Sequence, residues 1–110
     1  MGREAFSAAL SEAAELLRHG GCDLIMLEMM YHPERFRLAL EILARHFTGP
    51  RFAYPDSGYF RMPHWQFEDI IAPADLASCA EGWIADGIGA VGGCCGLSVE
   101  HIEALAPLKR

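Results

Sequence analysis

Two adjacent cysteines enclosed by glycines constrain the fold of this chain more than any other feature. Cys94 and Cys95 lie in the sequence Gly-Gly-Cys-Cys-Gly at residues 92–96, directly after a short apolar run at residues 88–91. Such a run is typical of a buried parallel strand, and Ser98 can cap a helix that begins at the next residue. The pattern predicts a strand, a glycine-rich turn and a helix, with both thiols at the carboxyl end of the strand. In α/β folds, ligands bind at that end.

The chemistry open to the two thiols is limited. Neighbouring cysteines do not readily form a disulfide with each other, because their Cα atoms are about 3.8 Å apart and a bridge prefers about 5.5 Å. Two thiolates on one tight turn can instead bind one soft metal ion, and zinc, with Zn–S distances of about 2.3 Å, is the natural candidate. The alternative is that Cys94 and Cys95 are two small buried apolar side chains. The glycines favour a metal site, because they allow the backbone to bend so that both sulfur atoms point inward.

The rest of the sequence predicts three strand–helix units preceded by a helix, which indicates an α/β fold with a parallel sheet. Residues 59–72 are rich in aromatic side chains and are expected to form a loop that either covers a site or fills the core. Cys79 is expected to be a packed thiol inside the third helix. Helices are predicted at residues 3–19, 33–46, 73–86 and from 99, and strands at residues 23–28, 51–54 and 88–91.

Composition excludes several classes of protein. A length of 110 residues indicates one domain, and 52% hydrophobic residues are enough for a core. The net charge of −6 argues against a nucleic-acid partner. No apolar run reaches the roughly 18 residues that a membrane span needs, and the first residues lack a signal-peptide pattern. Four cysteines without such a signal favour a reducing cytoplasm and metal or thiol chemistry.

The cysteine motif, followed by Glu-His-Ile at residues 100–102, resembles the closing signature of the homocysteine S-methyltransferase family. Members of that family are zinc-dependent (β/α)8 barrels. Their two adjacent cysteines bind zinc together with a third cysteine, and zinc holds the homocysteine sulfur as the thiolate that attacks a methyl donor. The resemblance implies zinc as the cofactor, homocysteine and a methyl donor as substrates, and Cys94 and Cys95 as metal ligands.

Two other segments carry the same resemblance. Residues 23–28, Asp-Leu-Ile-Met-Leu-Glu, are similar to a family segment whose glutamate contacts the amino group of homocysteine, and this implies that role for Glu28. By position alone, a glutamate at a strand end either is exposed at the rim or points into a site. Residues 54–58, Tyr-Pro-Asp-Ser-Gly, resemble a family loop over the mouth of the active site, with Asp56 where asparagine is common. The same residue types also form plain turns.

The resemblance implies a barrel that is internally shortened, because a complete one takes about 250 residues. Residues 1–110 are expected to form a single partial domain, in which residues 1–46 are one piece and residues 47–110 are a second piece with the cysteine motif. The family's third zinc cysteine follows an asparagine, and this chain has no asparagine. Cys22 lies at the wrong end of its strand to replace that cysteine, whereas His64 or a second chain is a possible source of a further ligand.

Two functions therefore remain open. The chain is either a homocysteine S-methyltransferase that forms methionine, or a non-catalytic remnant or interaction module of that family, because catalytic zinc typically has three protein ligands. The free edges of a partial parallel sheet also predict self-association or docking onto a chain that supplies the missing strands.

Overall fold

A computed structural model describes residues 2–28 and 33–109 of the chain. The helices are α1 (Arg3–His19), α2 (Pro33–His46), α3 (Pro73–Ala85) and α4 (Val99–Leu105), with a 3-10 turn at Ala106–Leu108. The strands are β1 (Ile25–Glu28), β2 (Arg51–Tyr54), β3 (Tyr59–Arg61), β4 (His64–Gln66) and β5 (Ala90–Val91). Among the described residues, no helix is both long enough and apolar enough to cross a bilayer.

The main sheet has three parallel strands in the order β1-β2-β5. Its register pairs Glu28 with Tyr54 and Ala53 with Val91, so the three strands end at the same edge. Helices connect the strands as the sequence predicts, and the mixed α/β architecture with a parallel sheet is confirmed. The loops that leave this edge contain the cysteine motif and the segment after β2.

The core forms between one face of the sheet and helices α1 and α2. Along β1, Ile25 and Leu27 are buried, whereas Met26 and Glu28 point to the exposed face, because side chains alternate along a strand. The other buried members of this core are Ala14, Phe36, Ala39, Leu40, Leu43, Phe47, Ala53 and Ile88. A smaller cluster of Leu76, Ala80 and Leu105 joins α3 to α4. The arrangement leaves Glu28 at the rim of the carboxyl edge.

Two local expectations are wrong. The segment expected to be an aromatic loop contains an antiparallel hairpin, because β3 and β4 pair through Phe60 and Trp65. Cys79 is exposed and not packed. Leu76 and Ala80, four residues apart, form the buried stripe of α3, and the neighbouring position of Cys79 lies outside it.

Candidate metal and substrate site

The turn after β5 is joined by its backbone to the loop after β2. The Cys94 N–H donates to the Pro55 carbonyl oxygen at 2.9 Å, and the Ser57 N–H donates to the Cys95 carbonyl oxygen at 2.9 Å. This reciprocal pair of hydrogen bonds fixes both cysteines against residues 55–57. The cysteine turn is therefore held at the carboxyl edge of the sheet.

The turn needs glycine at two positions. Gly96 has a φ of +82°, and a Cβ there would overlap the Ser57 carbonyl oxygen. A Cβ on Gly92 would overlap the Tyr54 ring. Only a residue without a side chain allows this close approach of the two loops.

The side chains of Cys94, Cys95 and Glu28 lie together at this edge. The two Sγ atoms are 3.8 Å apart, and Cys94 Sγ lies 4.0 Å from Glu28 Oε1. Two thiolates bound to one tetrahedral zinc at about 2.3 Å would have their sulfur atoms about 3.8 Å apart. The observed separation of the thiols therefore fits two zinc ligands without rearrangement, with a carboxylate beside them.

The described part of the chain supplies no complete metal cage. Within residues 2–28 and 33–109, no three His, Cys, Asp or Glu side chains are arranged to hold a metal ion. The Cys22 thiol instead donates to the Leu24 carbonyl oxygen at 2.8 Å, and His64 is exposed at the start of β4. The residues present thus fit zinc as a pair of ligands and leave its remaining positions to other groups.

Asp56 lies inside the loop that holds the cysteine turn. It is 6% exposed, and its Oδ1 has no hydrogen-bond partner among the described residues. Burial raises the pKa of the Asp56 carboxyl. The pKa of the Cys95 thiol is also raised, first by its hydrogen bond with the Cys94 thiol, then by desolvation and by the negative charges of Cys94 and Asp56. Asp56 thus contributes negative potential at the thiol pair.

His101 is a positioning residue whose role sequence reasoning missed. Its ring is buried, it accepts a hydrogen bond at Nδ1 from the Ser98 N–H at 3.0 Å, and its Nε2 donates to the Ile71 carbonyl oxygen at 2.6 Å. The two contacts fix the neutral Nε2–H tautomer and tie the start of α4 to the segment before α3. The spacing from the N-cap Ser98 to His101 is that of a capping box, which is the signal that could have indicated it.

These features define the class to which the chain belongs: an α/β protein with a paired-thiol site at the carboxyl edge of a parallel sheet. The sequence profile of the family Homocysteine S-methyltransferase matches residues 33–108. The chain belongs to the homocysteine S-methyltransferase family.

The chain is also similar to two mycobacterial proteins. It is 34% identical over 95 residues to the methionine synthase of Mycobacterium tuberculosis (strain ATCC 25618 / H37Rv), which covers 82% of this chain and 8% of that protein. It is 32% identical over 87 residues to the methionine synthase of Mycobacterium leprae (strain TN), which covers 78% of this chain and 7% of that protein. The chain therefore matches only a small part of the length of these relatives.

The buried carboxylate of Asp56 leads to a stability prediction. We expect Asp56→Asn to raise the free energy of unfolding at pH 7 by about 1 kcal/mol, because it replaces a buried charge, one of whose oxygens has no hydrogen bond from a described residue, with a neutral group of the same shape. Burial gives Asp56 a higher pKa in the folded protein than in the unfolded chain. The protonated carboxyl therefore stabilises the fold most below the unfolded pKa of about 3.9, and this stabilisation is lost as pH rises through the folded-state pKa. The increase in the free energy of unfolding caused by Asp56→Asn should therefore become larger as pH rises from about 4 to 7. Urea unfolding at several pH values measures it.

Asp23→Asn is the matched control for this prediction, because Asp23 is exposed. Its unfolding free energy should follow that of the unmodified protein at every pH. If the free energy of unfolding depends on pH in the same way in Asp56→Asn and in the unmodified protein, burial of the Asp56 charge does not destabilise the fold.

Proposed function

We propose that this chain binds zinc and homocysteine at the carboxyl edge of its sheet and transfers a methyl group to the homocysteine sulfur, which yields methionine. The observation that carries the proposal is the pair of thiols 3.8 Å apart with the Glu28 carboxylate 4.0 Å from one of them. Membership of the homocysteine S-methyltransferase family supports the same reaction.

Each of the three side chains has a distinct role in this proposal. Cys94 and Cys95 would hold zinc, which when bound lowers the pKa of a substrate thiol so that the thiolate is present at neutral pH. Glu28 would bind the ammonium group of homocysteine, because both oxygens of an ionised carboxylate accept hydrogen bonds and its charge is opposite to that of the ammonium group. The backbone clamp between residues 55–57 and the cysteine turn would keep the thiols in register with Glu28.

The proposal treats the three parallel strands as a segment of a (β/α)8 barrel. Pairing of β1 with β2 joins residues 1–46 to residues 47–110, and this supports one domain built from both pieces. The outer edges of β1 and β5 are then where a second copy or a complementing chain would add strands and a further zinc ligand. We place this activity in the cytoplasm, where thiols stay reduced.

A second candidate function is a non-catalytic remnant or interaction module of the same family. It is favoured by one observation: the described residues do not include a group of three side chains arranged to hold a metal ion. Such a module would retain the fold and the thiol pair without turnover.

Metal analysis combined with a transfer assay separates the two candidates. The protein is purified without chelators, its zinc content is measured, and methionine formation is followed with homocysteine and a sulfonium, betaine or folate methyl donor. The proposal predicts about one zinc per active unit and homocysteine-dependent methionine formation. Weak or no zinc binding without turnover would support the non-catalytic remnant or interaction module, and stoichiometric zinc without turnover would indicate a structural metal site.

The role of Glu28 leads to a binding prediction. Glu28→Gln should raise the Kd for homocysteine by about 10- to 100-fold, because a hydrogen bond to a charged group contributes about 1.5–3 kcal/mol. Zinc content should not change. Calorimetric titration of the zinc-loaded protein measures the Kd, and Glu12→Gln, at an exposed position of α1, is the control.

A ligand that lacks the amino group isolates this interaction. Binding of 4-mercaptobutyrate should be unaffected by Glu28→Gln, because this compound has no ammonium group. The ammonium-binding role of Glu28 would be excluded if Glu28→Gln weakened the binding of both ligands equally, or left the binding of homocysteine unchanged.

A further inference from the structure

The open face of the main sheet carries a second polar side chain at its carboxyl edge. Tyr54 is the last residue of β2, and in the register of the sheet it pairs directly with Glu28 at the end of β1. Residues that pair across two strands point to the same side of the sheet. The preceding pair, Leu27 and Ala53, is buried in the core on the other side. The Tyr54 side chain therefore lies on the same open face as Glu28.

The ring of Tyr54 also reaches the cysteine turn. A Cβ on Gly92 would overlap this ring and would lie 3.2 Å from Cζ, the carbon that bears the hydroxyl. Gly92 stands two residues before Cys94, whose Sγ lies 4.0 Å from Glu28 Oε1. Because β2 is the middle strand of the three, the phenol of Tyr54 lies between Glu28 and the start of the cysteine turn.

The hydroxyl of Tyr54 is open to a ligand. Tyr54 is half-buried, and its hydroxyl makes no hydrogen bond to a residue within 2–28 or 33–109. Tyr59 differs, because its hydroxyl donates to Glu68 Oε2 at 2.8 Å. A phenol with a packed ring and a free hydroxyl offers a hydrogen-bond donor at a fixed position.

The two neighbouring groups are complementary to the two charges of an α-amino acid. The carboxylate of Glu28 accepts hydrogen bonds from an ammonium group, and the hydroxyl of Tyr54 donates one to a carboxylate. Adjacent strands lie about 4.8 Å apart, and an α-amino acid carries both of its charged groups on one carbon. One substrate molecule can therefore contact both side chains while its sulfur is directed toward Cys94 and Cys95.

No cation of the sheet competes for the role of the hydroxyl. Within β1, β2 and β5 the one basic residue is Arg51. Arg51 stands at the opposite end of β2, where its guanidinium donates to the Asp86 carbonyl oxygen at 3.3 Å. Among these three strands, the donor at the carboxyl edge is therefore the hydroxyl of Tyr54.

We propose that Tyr54 determines the specificity of this site for an α-amino acid thiol, because its hydroxyl binds the carboxylate of the substrate while Glu28 binds the ammonium group. This inference rests on the proposed function, since it concerns the substrate of the same site. Thiols of the same length that lack the carboxylate gain nothing from Tyr54, and thiols that lack the ammonium group gain nothing from Glu28.

The variant Tyr54→Phe tests the inference, because it keeps the ring over Gly92 and removes the hydroxyl alone. The zinc-loaded full chain is titrated calorimetrically with homocysteine, with 4-mercaptobutyrate, which has no ammonium group, and with 3-aminopropane-1-thiol, which has no carboxylate. Tyr54→Phe should raise the Kd about tenfold for homocysteine and for 4-mercaptobutyrate, and should leave the Kd of 3-aminopropane-1-thiol unchanged.

Two further variants complete the comparison. Glu28→Gln should give the crossed pattern, with weaker binding of homocysteine and 3-aminopropane-1-thiol and unchanged binding of 4-mercaptobutyrate. Tyr59→Phe is the matched control, because it removes a hydroxyl that is bonded to Glu68, and it should leave all three Kd values unchanged. A general disturbance of the site by Tyr54→Phe would instead weaken all three ligands.

The inference would be overturned if Tyr54→Phe left the Kd of homocysteine unchanged, or weakened 3-aminopropane-1-thiol as much as homocysteine. Homocysteine still binds to the unmodified protein in both cases, so the proposed function survives. If none of the three thiols binds to the zinc-loaded unmodified protein, the proposed function fails, and the role of Tyr54 fails with it.

Discussion

Replacing Cys94 with alanine should weaken zinc binding by at least about 100-fold, the upper end of what loss of a supporting residue costs a metal site. The described residues offer two thiols at the site, 3.8 Å apart. Removing one leaves Cys95 alone, and a single thiolate cannot chelate the ion. Competition with a chromophoric chelator measures the affinity, and methionine formation should disappear with the metal.

The matched control is Cys79→Ala. Cys79 is an exposed free thiol on α3, so this variant tests the loss of a cysteine without the loss of the pair. It should bind zinc as the unmodified protein does. If Cys94→Ala keeps full affinity, or Cys79→Ala loses as much, the assignment of the paired thiols is wrong.

Gly96→Ala should lower the free energy of unfolding by about 3 kcal/mol and abolish zinc binding. The left-handed φ of +82° costs an alanine about 1–2 kcal/mol, and the overlap of its Cβ with the Ser57 carbonyl oxygen adds a similar amount. Relief of the overlap would separate the cysteine turn from residues 55–57. Urea unfolding and a zinc titration on the same sample measure both effects.

Gly82→Ala is the control for this substitution. Gly82 lies inside α3, and a Cβ there would meet no atom within 4 Å. Alanine at this position should raise stability by about 0.5–1 kcal/mol, because it is the better helix former. If Gly96→Ala is as stable as Gly82→Ala, the close approach of the two loops is not needed for the fold.

The elements that could be predicted from sequence are those set by local chemistry. The third helix, predicted at residues 73–86, ends at Ala85, and Gly87 follows it with a positive φ of +99°, which glycine adopts readily at a helix end. Phe36, Leu40 and Leu43, which follow one another at the three- and four-residue spacing of a helix face, are buried. The family resemblance additionally indicated that Glu28 and the two cysteines belong to one site, although Glu28 is far from the cysteines in the sequence.

The features that sequence reasoning missed depend on contacts between distant segments. Asp56 stands in a segment with the composition of an ordinary turn, yet it is buried because the cysteine turn bonds to the residues on either side of it. The β3–β4 hairpin is equally hard to predict from the sequence, because its strands are three residues long and most of their side chains are exposed. Neither the burial of a single loop residue nor the pairing of such short strands produces a periodic pattern in the sequence.

X-ray absorption at the zinc edge tests the central claim most directly. The intact chain is loaded with one equivalent of zinc, and the atoms that surround the ion are identified by type and distance. Ligation by Cys94 and Cys95 predicts two sulfur neighbours at about 2.3 Å. A zinc ion surrounded only by nitrogen and oxygen atoms would contradict the account.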